Sequence, residues 1–67
     1  MTPEQIERLR EWLKANCSFD KANEIFPIIG VLSVVFNADL GMRYYAEERK
    51  VCVDLNGELI SEVTEAL

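Results

Sequence analysis

The sequence predicts one small α+β domain over residues 1–67, with an N-terminal helix and a short second helix packed on an antiparallel β-meander of three to four strands. Three observations support this prediction: a helix-capping pattern at the N-terminus, alternating apolar and polar residues in the second half, and the hairpin-turn pair Asn56-Gly57. With 49% hydrophobic and 28% charged residues, the composition is that of a folded globular protein. A chain of 67 residues is too short to contain a second domain.

The first helix is predicted from its capping residues. Thr2 can cap its N-terminus, Pro3 suits the first helical position, and Gln5 completes a Thr-x-x-Gln capping box. The apolar residues that follow recur at helical spacing: Ile6, Leu9 and Leu13. We expect Leu9 and Leu13 to enter the core, and the helix to end near Asn16 or Cys17.

A short second helix is predicted to lie between the first helix and Pro27. Ser18 or Asp20 can cap it, and its expected last residue is Phe26, because a residue that precedes proline is disfavoured in the α conformation. Its apolar side would be formed by four residues: Phe19, Ala22, Ile25 and Phe26.

The segment Ile28–Phe36 is predicted to be a central strand with two apolar faces. Five of its nine residues are β-branched, a proline precedes it, and the turn-forming sequence Asn37-Ala38-Asp39 follows it. A helix is the alternative, because four residues also recur at helical spacing: Ile25, Ile28, Leu32 and Val35. In the strand interpretation one long helix covers one face, and the other face needs a separate cover.

The remainder of the chain is predicted to form the meander. Its strands and turns are expected in this order: Met42–Glu47, a turn at Glu48-Arg49, Lys50–Leu55, a turn at Asn56-Gly57, and Glu58–Val63. The stretch after Gly57 also fits a helix, through four residues at helical spacing: Leu59, Ile60, Val63 and Leu67.

Two registers are compatible with the hairpin around Asn56-Gly57. A two-residue turn pairs Leu55 with Glu58 and Val53 with Ile60. A register shifted by one residue, produced by a three-residue loop with a G1 bulge, pairs Val53 with Leu59.

The residue types exclude most enzyme chemistry. The chain has no histidine, which removes the commonest general base and metal ligand and every Ser-His or Cys-His nucleophile pair. Cys17 and Cys52 are too few for a structural zinc site, and the three glycines form no phosphate-binding fingerprint. We therefore expect a protein that is not an enzyme, with no catalytic residue, no metal site and no cofactor.

Charge and cysteine content indicate the surroundings of the protein. Twelve acidic residues against seven basic ones give a net charge of −5, which disfavours direct binding to nucleic acid or to an anionic membrane. Two cysteines are few for a secreted domain of this size, and the N-terminus lacks the pattern of a signal peptide. We expect a cytoplasmic protein with reduced thiols, although a Cys17–Cys52 disulfide stays open at this point.

The leading functional hypothesis is a protein–protein interaction module whose partner is another protein or a second copy, with a homodimer expected. The strand interpretation of Ile28–Phe36 leaves one apolar face uncovered, and exposed apolar patches of this kind are typical of interaction sites. The candidate interaction surface contains five residues: Leu32, Val34, Phe36, Tyr44 and Tyr45.

The alternative hypothesis is an acidic inhibitor or nucleic-acid mimic, such as a phage-type antagonist of a host nuclease or defence complex, which binds a basic groove. From Asp54 onward the chain contains acidic side chains and no lysine or arginine. The candidate acidic surface contains four residues: Asp54, Glu58, Glu62 and Glu65. The two hypotheses differ in salt dependence, because salt weakens a charge-driven complex more than an apolar one.

Overall fold

Two helices and a three-stranded antiparallel sheet follow one another along the chain in the computed structural model, which describes residues 2–65. The bounds of the elements are α1 Pro3–Asn16, α2 Ala22–Val35, β1 Leu40–Tyr45, β2 Lys50–Leu55 and β3 Glu58–Thr64. The strands lie in the order β1-β2-β3, so that β2 is central. This confirms the predicted α+β fold, with a meander of three strands.

Helix α1 begins and ends as predicted. The Gln5 backbone N–H donates to Thr2 Oγ1 at 3.2 Å, and the Thr2 N–H donates to Gln5 Oε1 at 2.9 Å, which completes the capping box. The buried residues of the helix are Leu9 and Leu13, and Cys17 forms the C-terminal cap. The predicted helical face is therefore the face that packs on the sheet.

Helix α2 contradicts four predictions. It has Lys21 at its N-cap with no side-chain hydrogen bond, so neither Ser18 nor Asp20 caps it, and Phe26 of the expected apolar side is exposed. It also runs through Pro27 instead of ending before it, and the segment Ile28–Phe36 is not a strand, since residues up to Val35 are helical.

The alternative prediction of a helix was correct, but most of the residues expected on its apolar face are not the ones that are buried. The buried residues are Ala22, Ile25 and Ile29, whereas Ile28 and Val35, which belonged to the expected apolar stripe, are exposed.

The position of Pro27 explains why it does not stop α2. Proline fixes φ near the helical value, and inside a helix it removes one backbone hydrogen bond, here to the carbonyl of Asn23. Asn23 is exposed, so water can satisfy that carbonyl. Burial of Ile25 and Ile29 on either side of the proline offsets the remaining cost, and tertiary packing thus overrides the local preference for a break.

The two helices lie side by side on one face of the sheet, α2 over β1 and α1 over β3. The central strand contributes Val51, Val53 and Leu55 to the core beneath them, while Cys52 and Asp54 point to the opposite face. The buried core contains Leu9, Leu13, Cys17, Ala22, Ile25, Ile29, Leu40, Val51, Val53 and Leu55.

The C-terminal end of α2 is tied to the sheet by polar contacts. Ser33 Oγ accepts from the Leu40 backbone N–H at 3.1 Å. The Asn56 N–H donates to the Asp39 carbonyl at 2.7 Å, and the Asp39 N–H donates to Asn56 Oδ1 at 3.0 Å. These bonds join the α2–β1 turn to the β2–β3 turn and fix the orientation of α2.

The β2–β3 hairpin is present, and neither predicted register describes it completely. The two-residue turn pairs Leu55 with Glu58 as predicted, but a bulge then makes Ile60 an extra residue, so that Val53 pairs with Ser61. Both predicted partners of Val53, Ile60 and Leu59, are therefore wrong. The helical alternative for this segment is wrong up to Thr64, and Leu67 lies outside the described residues.

The bulge resolves a conflict between charge and burial in β3. Without it, Glu62 would stand opposite Val51 on the core face of the sheet. With it, Val63 pairs with Val51 and Glu62 pairs with Cys52 on the outer face. A shift of one residue exchanges the two faces of a strand, and burying an unpaired carboxylate is costly.

Leu13 is completely buried on the inner side of α1, and its replacement should show how much the stability of the core depends on that helix. We expect Leu13→Ala to lower the free energy of unfolding by about 2–5 kcal/mol through lost burial and an unfilled cavity. Arg10→Ala is the matched control on the exposed side of α1, with an expected loss below about 1 kcal/mol. Chemical denaturation measures both, and equal effects would contradict the assigned helix face.

Gly57 has φ of +87° in the β2–β3 turn, following Asn56 at +51°. Both values are those of a type I′ hairpin turn. We expect Gly57→Val to destabilise the protein by about 1–3 kcal/mol, because β-branched residues are strained in this region. Gly57→Asn should have a smaller effect, since asparagine tolerates positive φ. Equal melting temperatures for the two variants would contradict this turn geometry.

Candidate interaction surface

The outward side of α2 is an apolar surface, which we call the α2 outer face: Phe26, Pro27, Gly30, Val31, Val34 and Val35. The exposed fractions of the large side chains are 62% for Phe26, 61% for Val31, 81% for Val34 and 67% for Val35. Pro27 and Gly30 are exposed as well. From Ile25 to Phe36 the chain has no charged residue, so the surface is continuous along three turns of helix.

The α2 outer face exists because α2 is apolar on all sides while the sheet can bury only one of them. Ala22, Ile25 and Ile29 face the sheet, and the opposite side has no element over it among the described residues. A helix that is apolar all round is normally buried on all sides. This pattern distinguishes α2 from α1, whose exposed side carries glutamate, arginine and lysine residues.

An apolar groove of about 360 Å³ lies between the two helices. We call it the interhelical groove, and it is lined by Gln5, Arg8, Leu9, Trp12, Ile28, Leu32 and Phe36. The groove forms because α1 and α2 rest on different outer strands of the sheet and leave a gap between them. Arg8 at its edge is paired with Glu4 at 2.9 Å, so the groove has an apolar interior and a neutralised rim.

The structure separates the five residues of the predicted interaction surface. Leu32 and Phe36 are half-buried in the interhelical groove, and Val34 lies on the α2 outer face. Tyr44 and Tyr45 lie at the far end of β1, away from the α2–β1 turn, and point to opposite faces of the sheet. Three of the five residues thus belong to α2 or its cap, and the two tyrosines do not continue that surface.

Both tyrosines have partners within the chain. The Tyr44 ring stacks on Phe19 with centroids 4.8 Å apart, and the Arg49 guanidinium covers Phe19 at 4.6 Å. Tyr45 is on the outer face of the sheet, where Lys50 Nζ lies 5.0 Å from its ring centroid. These contacts anchor the α1–α2 loop and the β1–β2 turn.

The predicted acidic surface is also divided. Asp54 forms a salt bridge with Arg43, whose Nε lies 3.1 Å from Asp54 Oδ2. The negative charge of this carboxylate raises the pKa of Arg43. Glu65 accepts from the Phe19 backbone N–H at 2.9 Å and lies 3.6 Å from Arg49. Glu58 and Glu62 are exposed, the first at the start of β3 and the second on the outer face of the sheet. Two of the four carboxylates are therefore neutralised within the chain.

Cys17 and Cys52 are both free and buried, so they do not form the disulfide that the sequence left open. Cys17 belongs to the core beneath the helices, whereas Cys52 is on the opposite face of the sheet between its cross-strand partners Arg43 and Glu62. Burial raises the pKa of the Cys17 thiol and keeps it protonated at neutral pH.

Comparison of the chain with protein-family models, curated proteins and solved structures found no match. Within residues 2–65, no set of three or more cysteine, aspartate and glutamate side chains is arranged to hold a metal ion. In the same part of the chain, neither helix has the length and apolar character needed to cross a membrane.

Sequence reasoning missed the part of the surface that depends on α2 being a helix. Phe26, Val31 and Val35 were assigned to a short helix and a strand, so their common exposure on one helix was not expected. A usable signal was present: the uncharged run from Ile25 to Phe36 is too long and too uniformly apolar for a helix with one buried face.

The burial of both cysteines should make them unreactive in the folded protein. At neutral pH we expect a maleimide to label the native chain slowly and to label both thiols rapidly after denaturation, because thiol reactivity requires access and the thiolate form. The variant Ala15→Cys, which adds a thiol on the exposed side of α1, is the control and should react at once. Rapid labelling of the native wild-type chain would contradict this assignment.

Proposed function

We propose that this protein is a non-enzymatic protein–protein interaction module that binds its partner through the α2 outer face and the adjoining interhelical groove. The observation that carries the proposal is the exposure of Phe26, Val31, Val34 and Val35 on a helix with no charge from Ile25 to Phe36. Proteins rarely expose contiguous apolar patches of this kind unless the patch contacts another molecule.

The residue types of the two surfaces support a protein partner. The cores of protein interfaces are depleted of charge and enriched in aromatic residues, and Trp12 and Phe36 supply aromatic groups at the groove. A ridge of side chains from a partner could enter the groove while flanking residues contact the α2 outer face. The net charge of −5 is unfavourable for nucleic acid or anionic lipid as the direct partner.

The non-enzymatic part of the proposal rests on residue chemistry. The chain has no histidine, and burial raises the pKa of the Cys17 thiol. Two buried free thiols also favour a reducing compartment, and on that ground we propose a cytoplasmic location.

The alternative function, an acidic inhibitor of a basic groove, has weaker support. A mimic of nucleic acid needs closely spaced, unpaired carboxylates, whereas Asp54 pairs with Arg43 and Glu65 with Arg49. On α1, Glu4 pairs with Arg8 and Glu7 approaches Arg10 at 3.7 Å. Much of the acidic charge is thus compensated locally, although the net charge is negative.

A single charge on the α2 outer face should remove binding. Immobilised protein is expected to retain a protein partner, either its own untagged chain or a second protein, in about 0.5 M salt, because an apolar contact persists when charges are screened. We expect Val34→Glu to weaken retention at least about tenfold, since the carboxylate would be buried without a partner. Because Val34 is 81% exposed, the variant should fold normally.

The control for this experiment is Ala15→Glu, which adds the same charge on the exposed side of α1. It should bind like the wild-type chain. Retention that disappears at high salt but tolerates Val34→Glu would support the acidic inhibitor and contradict the proposed module.

A further inference from the structure

We infer that the partner is a second copy of this chain, and that α2 packs antiparallel on α2 of the other copy across a two-fold axis near Gly30. This inference rests on the proposed function, because it names the occupant of the α2 outer face. Three features of the face support a second copy: its area, its lack of charge and the position of Gly30 midway along it.

The area of the α2 outer face is sufficient for such a contact. With whole-residue areas of roughly 150–200 Å², the exposed fractions of its residues amount to on the order of 500 Å². Two such faces amount to about 1,000 Å² in total, the lower limit for a specific interface, and each is about a tenth of the 4653 Å² surface of its chain. The interhelical groove beside it adds apolar surface. A second copy is a partner that accompanies the chain wherever it is made, and closed two-fold pairs are the commonest oligomers.

The distribution of charge favours contact between copies at this place. Two chains that each carry a net charge of −5 repel one another unless they meet through uncharged surface. The α2 outer face provides three turns of helix without a charge, whereas the exposed side of α1 presents glutamates close together. An antiparallel pair also places the lone acidic residue of the first turn, Glu24, at opposite ends of the contact.

Gly30 lies midway along the length of the face. An added Cβ at Gly30 would meet no atom within 4 Å beyond its chain neighbours and the backbone of its own helix, so no other element within residues 2–65 covers this position. Phe26 and Val34 flank it at equal distances of four residues, on the same side of the helix. A two-fold axis through Gly30 therefore brings the two backbones together at their smallest residue. It also places Phe26 of one copy opposite Val34 of the other, a large side chain against a small one.

Mixed cross-linking tests both the partner and the geometry. In the antiparallel pair, Phe26 of one copy lies level with Val34 of the other, while equivalent residues are about 12 Å apart along the helix. We expect a mixture of the variants Phe26→Cys and Val34→Cys to form an intermolecular disulfide under mild oxidation, and each variant alone to form little, because the Cα atoms must approach within about 7 Å. Cys17 and Cys52 are buried and do not compete. A mixture of Phe26→Cys with Ala15→Cys is the control and should not cross-link.

Analytical ultracentrifugation of the wild-type chain at micromolar concentration provides the independent measurement. We expect twice the mass of one chain, and the mass of a single chain for Val34→Glu, with an unchanged circular dichroism spectrum for both. Self-linking of Phe26→Cys alone would overturn the antiparallel arrangement. A folded wild-type monomer would overturn the second copy as partner.

The failure of this inference can be told apart from failure of the proposed function. If the chain is monomeric and Val34→Glu abolishes binding of a different protein, the second copy is wrong and the interaction module stands. If the chain is monomeric and substitutions on the α2 outer face change no binding, both are wrong.

Discussion

The inner face of the central strand is the constraint on which the rest of the structure depends. Val51 and Val53 of β2 are almost completely removed from water, and this requires a cover across the full width of the sheet. The sheet has three strands, so that its inner face accommodates two helices side by side, and Leu13 of α1 and Ile29 of α2 belong to the same core as Val51 and Val53. Each helix can thus bury only one of its faces against the sheet, even where its other faces are apolar as well.

The two helices meet this constraint in different ways. Helix α1 is amphipathic, and its exposed side is solvated and partly joined in ion pairs such as Glu4–Arg8. Helix α2 has the sequence of an element buried on several sides, yet the sheet covers only the side of Ile25 and Ile29. The surplus apolar surface of α2 is therefore a direct consequence of sheet width. The interhelical groove has the same origin, because helices placed over different outer strands leave a gap between them.

Local signals predicted the elements whose geometry is set locally. The Thr2–Gln5 capping box and the Asn56-Gly57 turn each satisfy backbone groups within a few residues, and both are present. Where local preference and tertiary packing disagree, the sequence was misleading. Pro27 and the β-branched residues after it favour a break and a strand, but a helix buries Ile25 and Ile29 together against the sheet. The bulge at Ile60 is a second case, since it depends on which face of β3 the folded sheet buries.

The candidate site could be predicted in composition but not in shape. An uncharged apolar run in an acidic chain indicates a surface that requires cover, and this holds whether the run is a strand or a helix. Its shape follows from the secondary structure: a strand would have joined it to Tyr44 and Tyr45, whereas the helix turns Phe26 and Val31 outward beside Val34. Under the proposed function, the same exposure would link folding to binding. A domain of this size buries a small core, and a partner that binds only the folded state stabilises it by mass action, so that a partner on the α2 outer face would also add to the stability of the fold.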